Sequence, residues 1–216
     1  MKDIPLFTTE HGVADLILKE VPYRETAYIR IHAAQEGELL PLLRECRSFC
    51  RMVGAERVYA AGHDGLAGYP LYTTVLELRG TAWRDVDLMA NLFPVTEQTV
   101  SKWRGIYNER MRQVDNAATL ESRDEQKIIA SGGAYFVHDS GELLGIGWLE
   151  DTKLLAMAAV KPGAGDRVMH SLMSLVEGST MTLEVASTNH RALRLYEKLG
   201  FLPVREVSGW YDVSVL

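Results

Sequence analysis

The stretch Met181–Phe201, MTLEVASTNHRALRLYEKLGF, holds the pattern that sets the fold. Thr182-Leu183-Glu184-Val185 alternates apolar and polar residues, which predicts a half-buried β-strand. Ser187-Thr188-Asn189 follows as a polar turn, and Asn189 is suited to cap a helix by accepting from the backbone N–H groups of its first turn. Ala192, Leu193, Leu195, Tyr196 and Leu199 then recur at helical spacing, so one helix face is apolar. Gly200 stands where a left-handed residue would stop that helix, and Phe201 would fold back onto it. The unit is strand, Asn-capped helix, glycine stop.

Upstream of this unit, Leu154–Val160 is an almost continuous apolar run, as a strand buried on both faces requires. Pro162-Gly163-Ala164-Gly165 breaks it. Arg167–Val176 then carries Val168, Met169, Leu172 and Leu175 at helical spacing, with Gly178 as its stop. Ala134–Val137 and Leu143–Leu149 predict a hairpin around Asp139-Ser140-Gly141. Thr96–Val114 predicts a helix, capped by Thr96, with Val100, Trp103, Ile106, Tyr107 and Met111 on one face; Gly105 weakens its middle. A last strand falls at Trp210–Val213.

The first part of the chain is also α/β. Strands are expected at Ala14–Leu18, Ala27–Ile31, Arg57–Ala61 and Tyr72–Leu78, with a helix from Glu38 to Val53 in which Pro41 lies in the tolerant first turn. The pattern changes between Gly80 and Asp87, which sets a boundary between residues 1–85 and 86–216. The order strand, loop, helix, strand in Ala27–Ala61 parallels Leu154–Ala186. A degenerate copy of the second half and an unrelated extension both fit the first half.

Composition limits the function classes. A chain of 216 residues with 47% hydrophobic content can bury one substantial core or two smaller ones. A net charge of −6 argues against a nucleic-acid partner, since phosphate-backbone binding needs clustered Lys and Arg. No run of about 18 apolar residues occurs, and the first residues lack a signal-peptide core, so a cytoplasmic protein with no membrane partner is expected. Cys46 and Cys50 fall on one stripe with Leu39, Leu42, Leu43, Phe49 and Val53, which predicts packed thiols and no metal.

Asn189 through Leu195-Tyr196-Glu197-Lys198-Leu199-Gly200-Phe201, together with the element order from residue 86 onward, resembles the GCN5-related N-acetyltransferase (GNAT) superfamily. The resemblance is nearest to members that acetylate protein N-terminal alanine. It implies a mixed-sheet α/β fold, acetyl-CoA as cosubstrate and a primary amine as acceptor: a peptide or protein N-terminus, an amino acid or a small amine. A catalytically silent acyl-CoA-binding or scaffold protein of the same fold is the alternative.

The chemistry needs an anion site, a base and an acid. Backbone N–H groups at a helix N-terminus form a ready site for a pyrophosphate. Gly163, Gly165, Arg167 and Val168 lie in that context between the Leu154–Val160 strand and the next helix. The superfamily's longer glycine motif is reduced here to Gly163 and Gly165. Asp166 adds a negative charge; an offset by Arg167 and a helix-capping role for Asp166 both fit. The resemblance further implies that the cofactor arm pairs with the backbone of Ala158 and Val160 and touches Asn189. It assigns Glu184, in Leu183-Glu184-Val185, as base and Tyr196 as acid, with an exposed strand carboxylate and a core tyrosine as the plainer readings. Trp103, Trp148 and Trp210 read as packing residues, and His170 and His190 as surface residues.

Overall fold

Residues 1–83, 85–115 and 117–215 are described by the computed structural model. They form two units, residues 1–75 with the C-terminal stretch from Glu206, and residues 76–205.

In the first unit the chain runs β1 (Ile4–Thr8), β2 (Gly12–Ile17), α1 (Val21–Arg24), β3 (Thr26–Ala34), α2 (Leu39–Met52) and β4 (Arg57–Ala61). β1, β2 and β3 are antiparallel neighbours, and β3 then pairs in parallel with β4 from Thr26–Arg57 to Arg30–Ala61. The crossover between those parallel strands is α2, as parallel pairing demands. Its stripe of Leu42, Leu43, Cys46 and Cys50 is fully buried against Ala14, Leu16, Ile29, Ile31, Val58 and Ala60. On the opposite face Tyr59 stacks on Tyr72, ring centroids 3.9 Å apart, and Trp210 meets Tyr28 edge-on at 5.2 Å.

β5 (Leu71–Thr81) leads into the second unit, which continues with β6 (Asn91–Pro94), α3 (Val100–Met111), α4 (Glu125–Ser131), β7 (Ala134–Asp139), β8 (Glu142–Glu150), β9 (Lys153–Ala159), α5 (Gly165–Met173), β10 (Thr180–Ala186) and α6 (His190–Lys198). β11 (Leu202–Asp212) runs on into the first unit, where Tyr211 and Asp212 pair antiparallel with Ala60 and Tyr59 of β4. The mixed sheet of the second unit has the order β6-β7-β8-β9-β10, antiparallel except for the parallel β9/β10 pair. Ser140 and Gly141 both take positive φ at the β7–β8 turn, the conformation that matches a hairpin's twist.

Two helical layers cover this sheet. α5 and α6 bury Val168, Met169, Leu172, Tyr196 and Leu199 with Val137, Leu144, Leu154 and Leu183. α3 and α4 bury Val100, Trp103, Tyr107 and Ile128 with Phe136, Ile146, Trp148, Ala156 and Ala158. α5 lies almost on the backbone of β8. A Cβ added to Gly147 would stand 2.3 Å from the Leu172 side chain, and one on Gly145 2.7 Å from Val168.

Element order also relates the two units. Antiparallel strands β1, β2 and β3, helix α2 and parallel strand β4 match β7, β8, β9, α5 and β10 in sequence and direction.

Three sequence expectations are corrected. The helix expected over 96–114 is limited to α3, because Thr96–Thr99 form a hydrogen-bonded turn of their own; the Thr96 side chain meets Thr99, and only its carbonyl accepts from the helix, from Val100 N–H. Gly105 does not interrupt it. The helix expected at Arg167–Val176 begins at Gly165 and tightens to a 3₁₀ turn at Ser174–Val176. His170, expected at the surface, is instead turned into the packed side of this helix. It is 2% exposed and packs edge-on against Trp83, ring centroids 4.4 Å apart.

Candidate active site

The site is an opening between two parallel strands. β9 and β10 pair at Lys153–Thr182 and Leu154–Leu183, and among the described residues the pairing goes no further. The cause lies on the other edge of β9. Its register with β8 shifts between Trp148 and Leu149, so that Leu155 is an extra residue opposite them. Such a bulge bends the strand that carries it. It also switches the faces: Leu154 packs under α5, whereas Ala156 and Ala158, which would share its face in a regular strand, pack under α3. The bend falls where β10 is released, and the carboxyl ends of the two strands part.

Parting leaves backbone groups of β9 unpaired. Val160 N–H donates to Leu144 O at 2.8 Å, and the Val160 carbonyl accepts from Arg110 at 3.0 Å. Antiparallel pairing alternates between groups facing the partner and groups facing away. Ala158, two residues before Val160 and opposite Ile146, therefore faces β8 as well. The groups directed at the open edge are those of Met157 and Ala159, so of the residues named from the sequence neither Ala158 nor Val160 offers its backbone there.

α5 starts at the wide end of the opening. Gly163 turns the chain with φ +80°, and Ala164 supplies no side-chain cap, so the first turn keeps its outward N–H groups. Gly165 is close to Leu195 of α6 and Met157 of β9; a Cβ there would stand 3.4 and 4.0 Å from them. Val168 is fully buried. Arg167 turns aside to Asp139, Nη1 to Oδ2 at 2.9 Å, and that hydrogen bond holds the Asp139 carboxyl below its ordinary pKa. The charge offsetting Asp166 is Lys198, whose Nζ donates to Oδ2 at 2.7 Å. Asp166 Oδ1 is buried without a partner.

At the closed end, Glu184 and Lys153 stand on the face opposite Leu183 and Leu154. Lys153 Nζ is 2.6 Å from Glu184 Oε1. Tyr196 comes from the other face, in the core beneath α6, its ring 6.0 Å from Phe201. Burial pushes its hydroxyl up to about 12. Asn189 caps α6, its Oδ1 accepting from Ala192 N at 3.2 Å. Gly200, with φ +84°, ends that helix, and Phe201 N–H reaches back to Tyr196 O at 2.9 Å. The structure thus sets Glu184 where the two strands part and Gly163, Gly165 and Asn189 in the turns beyond their ends, while Tyr196 stays in the core on the other face. Lys153, Lys198, Met157 and Ala159 are the neighbours that sequence reasoning did not single out.

Solved structures match the chain in fold. A GCN5-related N-acetyltransferase from Anabaena variabilis superposes with a TM-score of 0.61 at 10% identity, covering 95% of this chain and 60% of that one. The chain has the GNAT fold. A tandem GNAT protein from the clavulanic acid biosynthesis pathway matches with a TM-score of 0.52 at 14% identity, over 95% of this chain and 80% of its own. A conserved protein of unknown function from Staphylococcus epidermidis matches with a TM-score of 0.55 at 11% identity, over 96% and 92%. No protein-family profile and no curated protein matches the sequence. Among the described residues of this GNAT-fold chain, no helix is long and apolar enough to cross a membrane.

Proposed function

We propose that the chain is an acetyl-CoA-dependent N-acetyltransferase acting on a primary amine. The carrying observation is the opening between β9 and β10, with an uncapped helix N-terminus at its wide end and Glu184 at its closed end. The residues present suit the cosubstrate. The first-turn N–H groups of α5 and the turn at Gly163 would hold a pyrophosphate, and the Met157 and Ala159 backbone would pair with an amide-bearing arm. Lys198 tempers the Asp166 carboxylate beside them. Acetyl-CoA supplies an acyl group activated as a thioester.

The chain's own residues would manage the protons. Glu184 accepts one from the acceptor's ammonium, and Tyr196, protonated throughout the neutral range, donates one to the departing thiolate. An α-amine with pKa of about 7.7–8.0 asks less of a carboxylate base than a lysine at about 10.4, which supports an N-terminal acceptor such as a peptide or amino acid. Residues 86–216 carry this chemistry. The first half is a degenerate GNAT-like copy, in the sense that the clavulanic-pathway relative is tandem: its β3/β4 pair stays closed over Thr26–Arg30, five successive pairs against two for β9/β10.

Two measurements test the reading. Acetyl-CoA at 100 times its Kd should raise stability by about 2.7 kcal/mol, seen as a higher melting temperature. A panel of amines should release free thiol from it. Binding without thiol release would favour a silent acyl-CoA-binding protein, and no thermal shift at millimolar acetyl-CoA would overturn the assignment.

A further inference from the structure

At the closed end of the opening, the carboxylate assigned as base already holds an amine, and that amine belongs to the same chain. Lys153 opens β9, two residues before the bulge at Leu155, and its register partner is Thr182 of β10. Its Nζ sits 2.6 Å from Glu184 Oε1, both side chains partly open to solvent. Leu154 and Leu183, the last pair before the strands part, point into the core under α5 and α6, which leaves Lys153 and Glu184 together on the other face. An arm lying along Met157 and Ala159 with its phosphate end at α5 must direct its thioester end toward this vertex.

We propose that Lys153 is itself an acceptor, so that the protein acetylates its own lysine. The inference rests on the function proposed above. Glu184 takes a proton from the Lys153 ammonium, and the neutral Nζ attacks the acyl carbon of the thioester. The N–C bond forms and, as the C–S bond breaks, the thiolate leaves with the Tyr196 proton, while the second Nζ proton is lost to solvent, from which Tyr196 is reprotonated. The products are Nε-acetyllysine and free thiol, and the proton on Glu184 passes to solvent. Other paired lysines lack this placement: Lys161 meets Glu142, and Lys198 meets Asp166 at the α5 end. Acetylation removes the Lys153 charge and breaks its ion pair, which leaves Glu184 free for an external amine.

The test is incubation of the full chain with acetyl-CoA and no added amine, followed by intact-mass measurement and peptide mapping. One acetyl group per chain on Lys153 is expected, with a first-order rate constant unchanged by about tenfold dilution of the protein. Glu184→Gln should slow the labelling by about 10²-fold or more. Lys153→Arg keeps a cation beside Glu184 and should take no label, while its thermal shift with acetyl-CoA matches wild type. Three results overturn the proposal: label spread over exposed lysines as in heat-denatured protein, a rate that falls on dilution, or no label on Lys153 while acetyl-CoA still raises the melting temperature and an added amine is acetylated. Absence of both thermal shift and thiol release would overturn the transferase reading itself, and this proposal with it.

Discussion

Replacing Tyr196 by Phe removes one oxygen and leaves the ring. The ring is packed beneath α6, 6.0 Å from Phe201, and the hydroxyl makes no hydrogen bond to any described residue. Its loss therefore strands no partner, and stability should change by under about 1 kcal/mol, in either direction. Turnover should fall by about 10²–10⁴, which is about 3–5 kcal/mol of transition-state stabilisation. The pH dependence gives a second signature. Burial raises the folded-state pKa to about 12, against about 10 in the unfolded chain. The folded protein thus keeps its proton where the unfolded one loses it, and stability falls as pH rises from about 10 to about 12. Tyr196→Phe should flatten that part of the curve, leaving the contribution of the two buried thiols. Thiol release and denaturant unfolding, measured on the same preparations, check both. A wild-type rate, or a rate loss matched by collapsed stability, would refute the acid role.

Three further outcomes are expected. Glu184→Gln should lower turnover most at low pH, where the acceptor is an ammonium, with the deficit shrinking toward the amine's own pKa; an equal loss at every pH in a pH–rate profile would indicate positioning instead. Gly145→Ala should cost about 1–3 kcal/mol in denaturant unfolding, because its Cβ would stand 2.5 Å from Ala158 O and 2.7 Å from Val168. Cys46 and Cys50 are fully buried, and desolvation pushes both thiols up to about 12, so a thiol reagent at neutral pH should label neither until denaturant unfolds the first unit.

The strand-cap-helix-stop unit was legible because each of its signals is local. Asn189 caps within three residues, Gly200 supplies the left-handed turn, and the apolar spacing of α6 needs no distant partner to be recognised. The opening was not legible, because it depends on register. Nothing in Leu154-Leu155-Ala156 marks Leu155 as the extra residue; only pairing with Trp148 and Leu149 does. The same register decides that Met157 and Ala159, and not Ala158 and Val160, face the open edge. Long-range charge pairing was hidden too. Lys153 and Glu184 are far apart in sequence and meet through parallel pairing, and Lys198 reaches Asp166 from another helix. His170 was misjudged because what covers it, Trp83, is distant in sequence.

The C-terminal strand sets an order of events during synthesis. Val213 is fully buried in the core of the first unit and bonds Val58, Ser214 accepts from Arg51 and Val58, and Asp212 N–H donates to Pro70 O. All of those partners are translated before residues 76–205, whereas the strand that completes them is translated after them. The intervening unit, Leu76–Arg205, is contiguous. At about 5–20 residues per second it takes roughly 7–26 s to emerge, and it can fold in that interval. The first unit is therefore begun before the second and completed after it, and a frameshift or protease nick just beyond Arg205 damages a core whose other strands were made before the second unit.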